Sequence, residues 1–374
     1  MTSLQILGLG TALPPHRISQ SAAAMFAATC VHPDATDSGN PAAVVEALYR
    51  RAGIRYRHSV LLESSDDGEA TAERFYRSAA DPDDRGPGTA ERMRRYESEA
   101  PDLAVRAASA ALQQSRIDPA ALTHLITASC SGFSAPGVDL HLINALGLPP
   151  ATARTHVGFM GCHASLNALR IAAAFAGDRN ATILVCAVEL CSLHHQYGWN
   201  PQKLVANSLF ADGAAAVVCR GCEQSADAEV TKRVPGRLTA SGSFLIPETT
   251  DMMTWRIGDA GFEMTLSPEV PAVIMRTLPI VMRDFLQPAG LVVDDIASWA
   301  VHPGGPRILA AVAEALRLTD EHLAPSVEIL QRCGNMSSPT ILFIVELLRQ
   351  QQAELPCVLL GFGPGLNVEL ALLT

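Results

Sequence analysis

Two stretches far apart in the chain follow one plan. "LTHLITASCSG" (122–132) and "IASWAVHPGG" (296–305) are each an apolar, β-rich run halted by glycine. A helical pattern precedes each: "ESEAPDLAVRAASAALQQSRI" for the first and "AVIMRTLPIVMRDFLQPAG" for the second. Both runs deliver polar groups at their C-terminal ends. Strands of this kind, separated by alanine-rich helices, confine the chain to an α/β architecture with sites at strand ends. The recurrence points to internal duplication.

The remaining pattern agrees. "LQILGLGTALP" reads as a strand ending in a Gly/Pro turn, "HLINALGL" as a short helix and "ATILVCAVEL" as a buried strand. "FADGAAAVVCR" reads as a turn and a strand. Further on, "PRILAAVAEALRL" is a helix, "GNMSSPTILFIVELLRQQ" a turn and helix, and "PCVLLGFGPGLNVELALL" two strands about a Gly-Pro-Gly turn. The polar region from Glu63 to Met93 reads as a surface excursion or mobile loop. A second polar stretch, "CEQSADAEVTKR", divides the chain into halves of 1–228 and 229–374.

At 374 residues, 48% hydrophobic and 18% charged, the chain can bury a large core. A net charge of −10, with Lys203 and Lys232 the only lysines, argues against a nucleic-acid partner. No apolar run approaches the length of a membrane span, and "MTSLQILGLGTALPP" lacks the basic start of a secretory signal. A soluble, cytoplasmic protein is expected. The nine scattered cysteines are read as reduced. Cys219 and Cys222 form a single CxxC, which supplies half a tetrahedral metal site.

In "GFMGCHASLNALRIAAAFA" (158–176) a cysteine, Cys162, follows a glycine and heads a helical pattern that begins at Leu166. The positive end of a helix favours thiolate, the nucleophilic form. The alternative is a small buried hydrophobe. A nucleophilic cysteine needs a base and often an amide to orient it. His302 ends an apolar strand and is followed by "PGG"; Asn335, in "CGNMSSP", follows a glycine and precedes a helix. A plain cap is the alternative for Asn335. Cys, His and Asn together fit a papain-like hydrolase or an acyl-transferring condensing enzyme. The papain cysteine signature is absent, as is its placement near the N-terminus.

"GFMGCHASLNALRIA", "SLFADGAAAV", "WAVHPGGPRIL", "GNMSSPTILFIV" and "GFGPGLNVE" resemble, in order, the motifs of type III polyketide synthases. These form the chalcone-synthase-like branch of the thiolase superfamily. The resemblance runs from the first strand to the last residues. It implies a five-layered αβαβα thiolase-like fold, internally duplicated, and a homodimer. It implies catalytic residues Cys162, His302 and Asn335. Cys162 would carry an acyl group from an acyl-CoA starter. His302 and Asn335 would stabilise the enolate formed when malonyl-CoA loses CO2. CoA thioesters are then substrates, and no cofactor or metal is implied. A ketoacyl-synthase-III-like enzyme fed by a carrier protein is the nearest rival, disfavoured because "HPGG" is foreign to that branch and a carrier protein needs a basic docking patch. A catalytically inactive partner subunit is another, disfavoured by the intact Cys, His and Asn.

The resemblance also implies a pocket. Phe210 matches a gatekeeper phenylalanine, and Met264 replaces a second gatekeeper aromatic. Cys130, Cys191 and His194 fall where plant enzymes have cavity threonines, with Ser131 and Ser337 beside them. Trp255 falls where the plant pattern has a small residue, and Pro364 on the cavity floor. Ala135 falls where plant enzymes pass a methionine across the dimer. For CoA, Arg51 aligns with a phosphate-binding lysine, with Arg55 and Arg57 as helpers; Gly304 and Gly305 would let the pantetheine arm approach. Such a cavity suits long aliphatic starters, with alkylpyrones or alkylresorcinols as products.

Overall fold

The structure is a computed structural model describing residues 2–35, 40–63, 75–178, 180–223 and 232–374. The first half begins with strand β1 (Thr2–Ala12). Two short paired strands, β2 (Arg17–Ser19) and β3 (Tyr56–His58), frame helices α1 (Gln20–Thr29) and α2 (Pro41–Arg51). There follow α3 (Thr89–Ser115), β4 (His124–Ser129), α4 (Val138–Leu146), β5 (Ala153–Gly158) and α5 (Ala164–Phe175). Strand β6 (Thr182–Leu190), α6 (Pro201–Leu209) and β7 (Asp212–Glu223) complete this half. The second half contains β8 (Arg237–Leu245), β9 (Met253–Gly258), β10 (Gly261–Leu266), α7 (Val270–Leu286) and β11 (Ser298–Val301). It continues through α8 (Pro306–Leu316), α9 (Asp320–Cys333), α10 (Thr340–Gln350), β12 (Cys357–Gly363) and β13 (Asn367–Leu373).

Nine strands hydrogen-bond in the order β11-β12-β13-β8-β1-β7-β6-β4-β5. The ladder is thinnest between β1 and β8, where only Leu4 pairs Leu238 and Gln5 pairs Arg237. The sheet therefore consists of two wings. Side chains alternate across each strand. On β6, Ile183, Val185 and Ala187 enter one core with α5 and α10, while Leu184, Cys186 and Val188 enter another with α3. Burial on both faces explains why β6 reads as a continuous apolar run. The other wing does the same: Leu359 packs toward α10, and Val358 and Leu360 pack toward α7 and α8. The layers are α3, one wing, α5 with α10, the other wing, and α7 with α8. This is the αβαβα order.

The wings repeat one motif. β4 runs parallel to β6, which is antiparallel to β7, and β7 to β1. Equivalently, β11 runs parallel to β12, which is antiparallel to β13, and β13 to β8. Helix α5 precedes β6 as α10 precedes β12. Cys162 and Asn335 thus occupy matching places, just before the two central helices. Cys130 and His302 follow the matching strands β4 and β11.

Of the polar region read from Glu63 to Met93, residues 64–74 lie outside the described residues, and residues 77–91 are mostly exposed, as a surface excursion would be. The departures are that α3 already begins at Thr89 and that Tyr76 and Arg92 are buried. Arg92 donates to the carbonyls of Pro87 (2.8 Å), Leu193 (2.7 Å) and His195 (2.9 Å), so its charge marks an internal strut. The boundary read at 228/229 also lies outside the described residues. Strand β8 and the β9–β10 hairpin were not anticipated. That hairpin sets Trp255 directly opposite Met264. Among the described residues, no helix is long and apolar enough to cross a membrane.

Candidate active site

Cys162 sits in a single tight turn, Gly161–His163, that leads into α5. Gly161 has φ +75°, and a Cβ on it would lie 2.4 Å from Pro364 Cδ. Only glycine lets the turn press against the Pro364 loop. Cys162 borders a small cavity of about 30 Å3. Cys130, Ser131, Cys191, Phe210, Trp255, Met264, Ser337 and Pro364 border it too, together with Glu189. The sequence-derived pocket is therefore assembled around the cysteine, His194 excepted.

His194 lines a larger adjacent cavity instead. Its Nδ1 accepts from Phe262 N (2.9 Å), which makes Nε2 the protonated nitrogen, donating to Ser131 O (2.7 Å). The ring stacks on Phe262 at 4.1 Å. Burial pushes its pKa down to about 3, so His194 is a neutral strut between loops.

Asn335 lies in the turn before α10 and is 2% exposed. Its Oδ1 accepts from Ser337 N (2.8 Å), which fixes the amide and leaves the Nδ2 donor for chemistry. The N-cap of α10 is Pro339, so Asn335 closes a local turn but is not the helix cap. Hydrogen bonds from Ser337 and Asn335 reach Cys162 and favour its thiolate. Burial opposes them and, aided by the charge of Glu189, pushes the thiol up to about 11.

His302 follows β11 and is anchored by its backbone N–H to Leu360 O (2.8 Å). It is 1% exposed, and neither ring nitrogen has a hydrogen-bond partner. Burial, then the neighbouring His163, push it down to about 3. His302 and Cys162 are each driven toward the neutral form.

Residues 2–223 and 237–374 match the models for the N- and C-terminal domains of chalcone and stilbene synthases. The chain belongs to that family. It is 34% identical to a 1,3,6,8-tetrahydroxynaphthalene synthase of Streptomyces peucetius, over 98% of this chain and 92% of the relative. It is 35% identical to the alpha-pyrone synthesis polyketide synthase-like Pks18 of Mycobacterium tuberculosis, over 76% of this chain and 73% of that one. The crystal structure of PKS-I from the brown alga Ectocarpus siliculosus superposes with a TM-score of 0.90 at 27% identity, covering 100% of this chain and 98% of that one.

For a type III polyketide synthase the CoA mouth is the next question. The Arg51–Arg55 turn packs on the start of α8, where Pro306 Cγ lies 3.3 Å from the Cβ position of Gly53. Arg51 and Arg55 are exposed on that turn. Arg57 is not available to a phosphate. It is buried and donates to Gln20 Oε1 and to the carbonyls of Asn207 (2.7 Å), Ser208 (2.6 Å) and Phe210 (3.0 Å).

Two site residues escaped the sequence reading. Glu189, fully buried at the end of β6, accepts from Cys130 N (2.9 Å), Ser131 N (3.0 Å), Ser131 Oγ (2.6 Å) and Ser338 Oγ (2.6 Å). Burial pushes its carboxyl up and these bonds pull it back. Its signal was a lone charge closing an otherwise apolar strand. His163, next to the nucleophile, donates from Nδ1 to Asn167 Oδ1 (2.6 Å), and Asn167 Nδ2 donates to Glu369 Oε1 (2.8 Å).

Proposed function

We infer that the enzyme extends an acyl-CoA starter with malonyl-CoA by iterative decarboxylative condensation. The observation that carries this reading is Asn335, its amide fixed by Ser337 so that a donor faces the Cys162 sulfur. Cys162 passes its proton to His302 and attacks the starter thioester; CoA leaves as the thiol. The carbonyl of malonyl-CoA then accepts hydrogen bonds from His302 and Asn335 Nδ2. They stabilise the enolate formed as CO2 departs, an oxyanion-hole effect. The enolate carbon attacks the acyl-cysteine, Cys162 is released, and CoA carries the longer chain. Loss of the carboxylate drives the step, so it calls for no metal or redox cofactor. Repetition and ring closure complete the product.

Met264 in place of an aromatic and Cys191 in place of a hydroxyl support an apolar starter. That favours long-chain acyl-CoA and alkylpyrone or alkylresorcinol products. Arg51, Arg55, Gly304 and Gly305 form the mouth that would take the CoA phosphates and pantetheine arm. A homodimer is supported by β5, an edge strand of the sheet, and by Phe133 and Met160, apolar and exposed close to it. Ala135 lies exposed on the same loop as Phe133.

Incubation with an acyl-CoA followed by digestion tests the reading. The acyl mass maps to Cys162 and is lost in Cys162→Ala. An adduct on Cys130 or Cys191 instead overturns the assignment.

A further inference from the structure

The turn that carries the nucleophile also carries a second imidazole. His163 is buried against β12 where that strand has glycines for side chains, Gly361 and Gly363. A Cβ on Gly361 would lie 3.2 Å from His163 Cβ, and a Cβ on Gly363 would collide with His163 Nε2. Beside β12 runs β11. Val301 pairs with Leu360, and His302 N–H donates to Leu360 O, so His302 comes beside Gly361. Val301 and Leu360 pack toward α7 and α8. Side chains alternate along a strand, so His302 and Gly361 face the other way, toward the central helices and His163.

A chain of hydrogen bonds decides which nitrogen of His163 holds the proton. Glu369 Oε1, buried on β13, accepts from Asn167 Nδ2 (2.8 Å), Asn367 Nδ2 (3.1 Å) and Arg170 Nη2 (3.3 Å). A carboxylate oxygen can only accept, so the Asn167 amide turns its NH2 to Glu369 and its Oδ1 to His163. His163 Nδ1 then donates to that Oδ1 (2.6 Å). Burial pushes the His163 imidazole down, more than Asn167 and Glu369 raise it, so the ring is neutral. Its Nε2 is left a bare acceptor. That acceptor has no partner among the described residues, and neither ring nitrogen of His302 has one. Buried polar atoms without partners are rare and call for an explanation. Hydrogen bonds that serve a reaction are often open in a free enzyme and close when substrate is bound.

We propose that His163 is the positioning residue of the proton acceptor. Its Nε2 lone pair holds His302 with a ring N–H turned toward it, and the other nitrogen of His302 stays bare for the Cys162 thiol. The proposal rests on the reading that His302 takes the Cys162 proton. In that step the S–H bond breaks, the sulfur keeps the electron pair, and the bare nitrogen of His302 gains the proton. His163 neither gives nor takes one; it accepts a hydrogen bond that strengthens as His302 becomes charged. The charged and titratable groups around His163 are Glu369 of β13, Arg170 of α5, His302 after β11 and Cys162 next to it in the chain. Glu369, through Asn167, makes Nε2 the better acceptor.

The test follows iodoacetamide alkylation of Cys162 against pH in the parent, His163→Leu, His302→Gln and the double variant. Loss of the acceptor disfavours the imidazolium. Thiolate is the form above the midpoint, so His163→Leu moves the midpoint upward, by about one to two pH units. In His302→Gln, adding His163→Leu moves it no further, because the imidazole through which His163 acts is gone. Packing damage would shift both backgrounds alike, so equal shifts overturn the proposal, as does an unmoved midpoint in folded His163→Leu. His163→Gln restores an acceptor carbonyl and returns the midpoint toward that of the parent; a folded Gln variant shifted as far as Leu overturns the proposal. Should His163→Leu not fold, His163→Met, unbranched and adaptable, takes its place with the same expectation. A parent that neither loads Cys162 from an acyl-CoA nor decarboxylates malonyl-CoA fails the functional reading, and this proposal with it. One that does both, with a midpoint unmoved by the His163 variants, fails this proposal alone.

Discussion

The backbone of Phe210 is bridged to that of Asn335. Asn335 N donates to Leu209 O (2.9 Å), and Ala211 N donates to Asn335 O (2.9 Å). Phe210 and Asn335 thus belong to one hydrogen-bonded unit, although they come from opposite halves of the chain. Arg57 completes it by donating to Phe210 O. A displacement of either residue is felt by the other.

Gly334 is where this unit is most easily broken. It has φ +75° and ψ −174°, a conformation open essentially to glycine, and a Cβ there would lie 2.9 Å from Ala211 Cβ. Gly334→Ala therefore pushes the Phe210 segment away from Asn335. The strain costs about 1–3 kcal/mol. The expected outcome is a lowered melting temperature and a loss of malonyl-CoA decarboxylation larger than the loss of acyl loading on Cys162. Equal losses of the two would show that the bridge does not position Asn335.

Glu189 anchors the other wall. Glu189→Ala leaves Cys130 N and Ser131 N buried without an acceptor, at about 1–3 kcal/mol each. A fall in melting temperature is expected. Glu189→Gln keeps one acceptor oxygen for those amides, and the Ser338 hydroxyl can turn to accept from the new NH2. It should therefore lose less than half as much. Calorimetry of both variants decides; equal losses would mean that the amides are not what Glu189 holds.

These two residues also show what the sequence made legible. Cys162, His302 and Asn335 stand at glycine-marked ends of strands and starts of helices, and local pattern exposes such positions. The duplicated wings followed from the same signal, since β4 and β11 carry it twice. Glu189 was hidden because its partners, Cys130, Ser131 and Ser338, come from distant loops, and its strand otherwise reads as core. Arg57 misled for the same reason. A charge next to Arg55 looks solvated until the end of α6 is folded over it. Trp255 and Met264 were named singly, but their pairing depends on a hairpin whose strands carry little apolar alternation.

Protonation of the nucleophile provides a pH test. Burial pushes the Cys162 thiol up to about 11 and His302 down to about 3, so a lone thiolate is disfavoured. The proposed role of His302 as proton acceptor lowers the midpoint for thiolate formation. Thiolate is the form above the midpoint, so iodoacetamide alkylation of Cys162 rises with pH through it. His302→Gln removes the proposed counter-charge, and the midpoint should move upward from that of the parent. Superimposable pH profiles for parent and variant would exclude His302 as the proton acceptor.

The two halves of the reaction separate by single substitutions. Loading needs a nucleophile, whereas decarboxylation of malonyl-CoA needs only donors to the enolate oxygen. Cys162→Ala should abolish polyketide formation yet leave measurable decarboxylation, because Asn335 is fixed by Ser337 N rather than by the thiol. Asn335→Ala removes a preorganised donor and should cost decarboxylation about 2.7–4 kcal/mol, which is about a hundredfold to a thousandfold in rate. It should slow loading less, since its bond to Cys162 is one of several influences on the thiol. His302→Ala should impair both steps, since the roles proposed for it are acceptor of the thiol proton and donor to the enolate. The readout is CO2 and acetyl-CoA release from malonyl-CoA by each variant, beside product formation with a working starter. If Cys162→Ala loses decarboxylation entirely while Asn335→Ala keeps the parent rate, the roles are misassigned. Asn335 would then serve only the turn that its Oδ1 closes before α10.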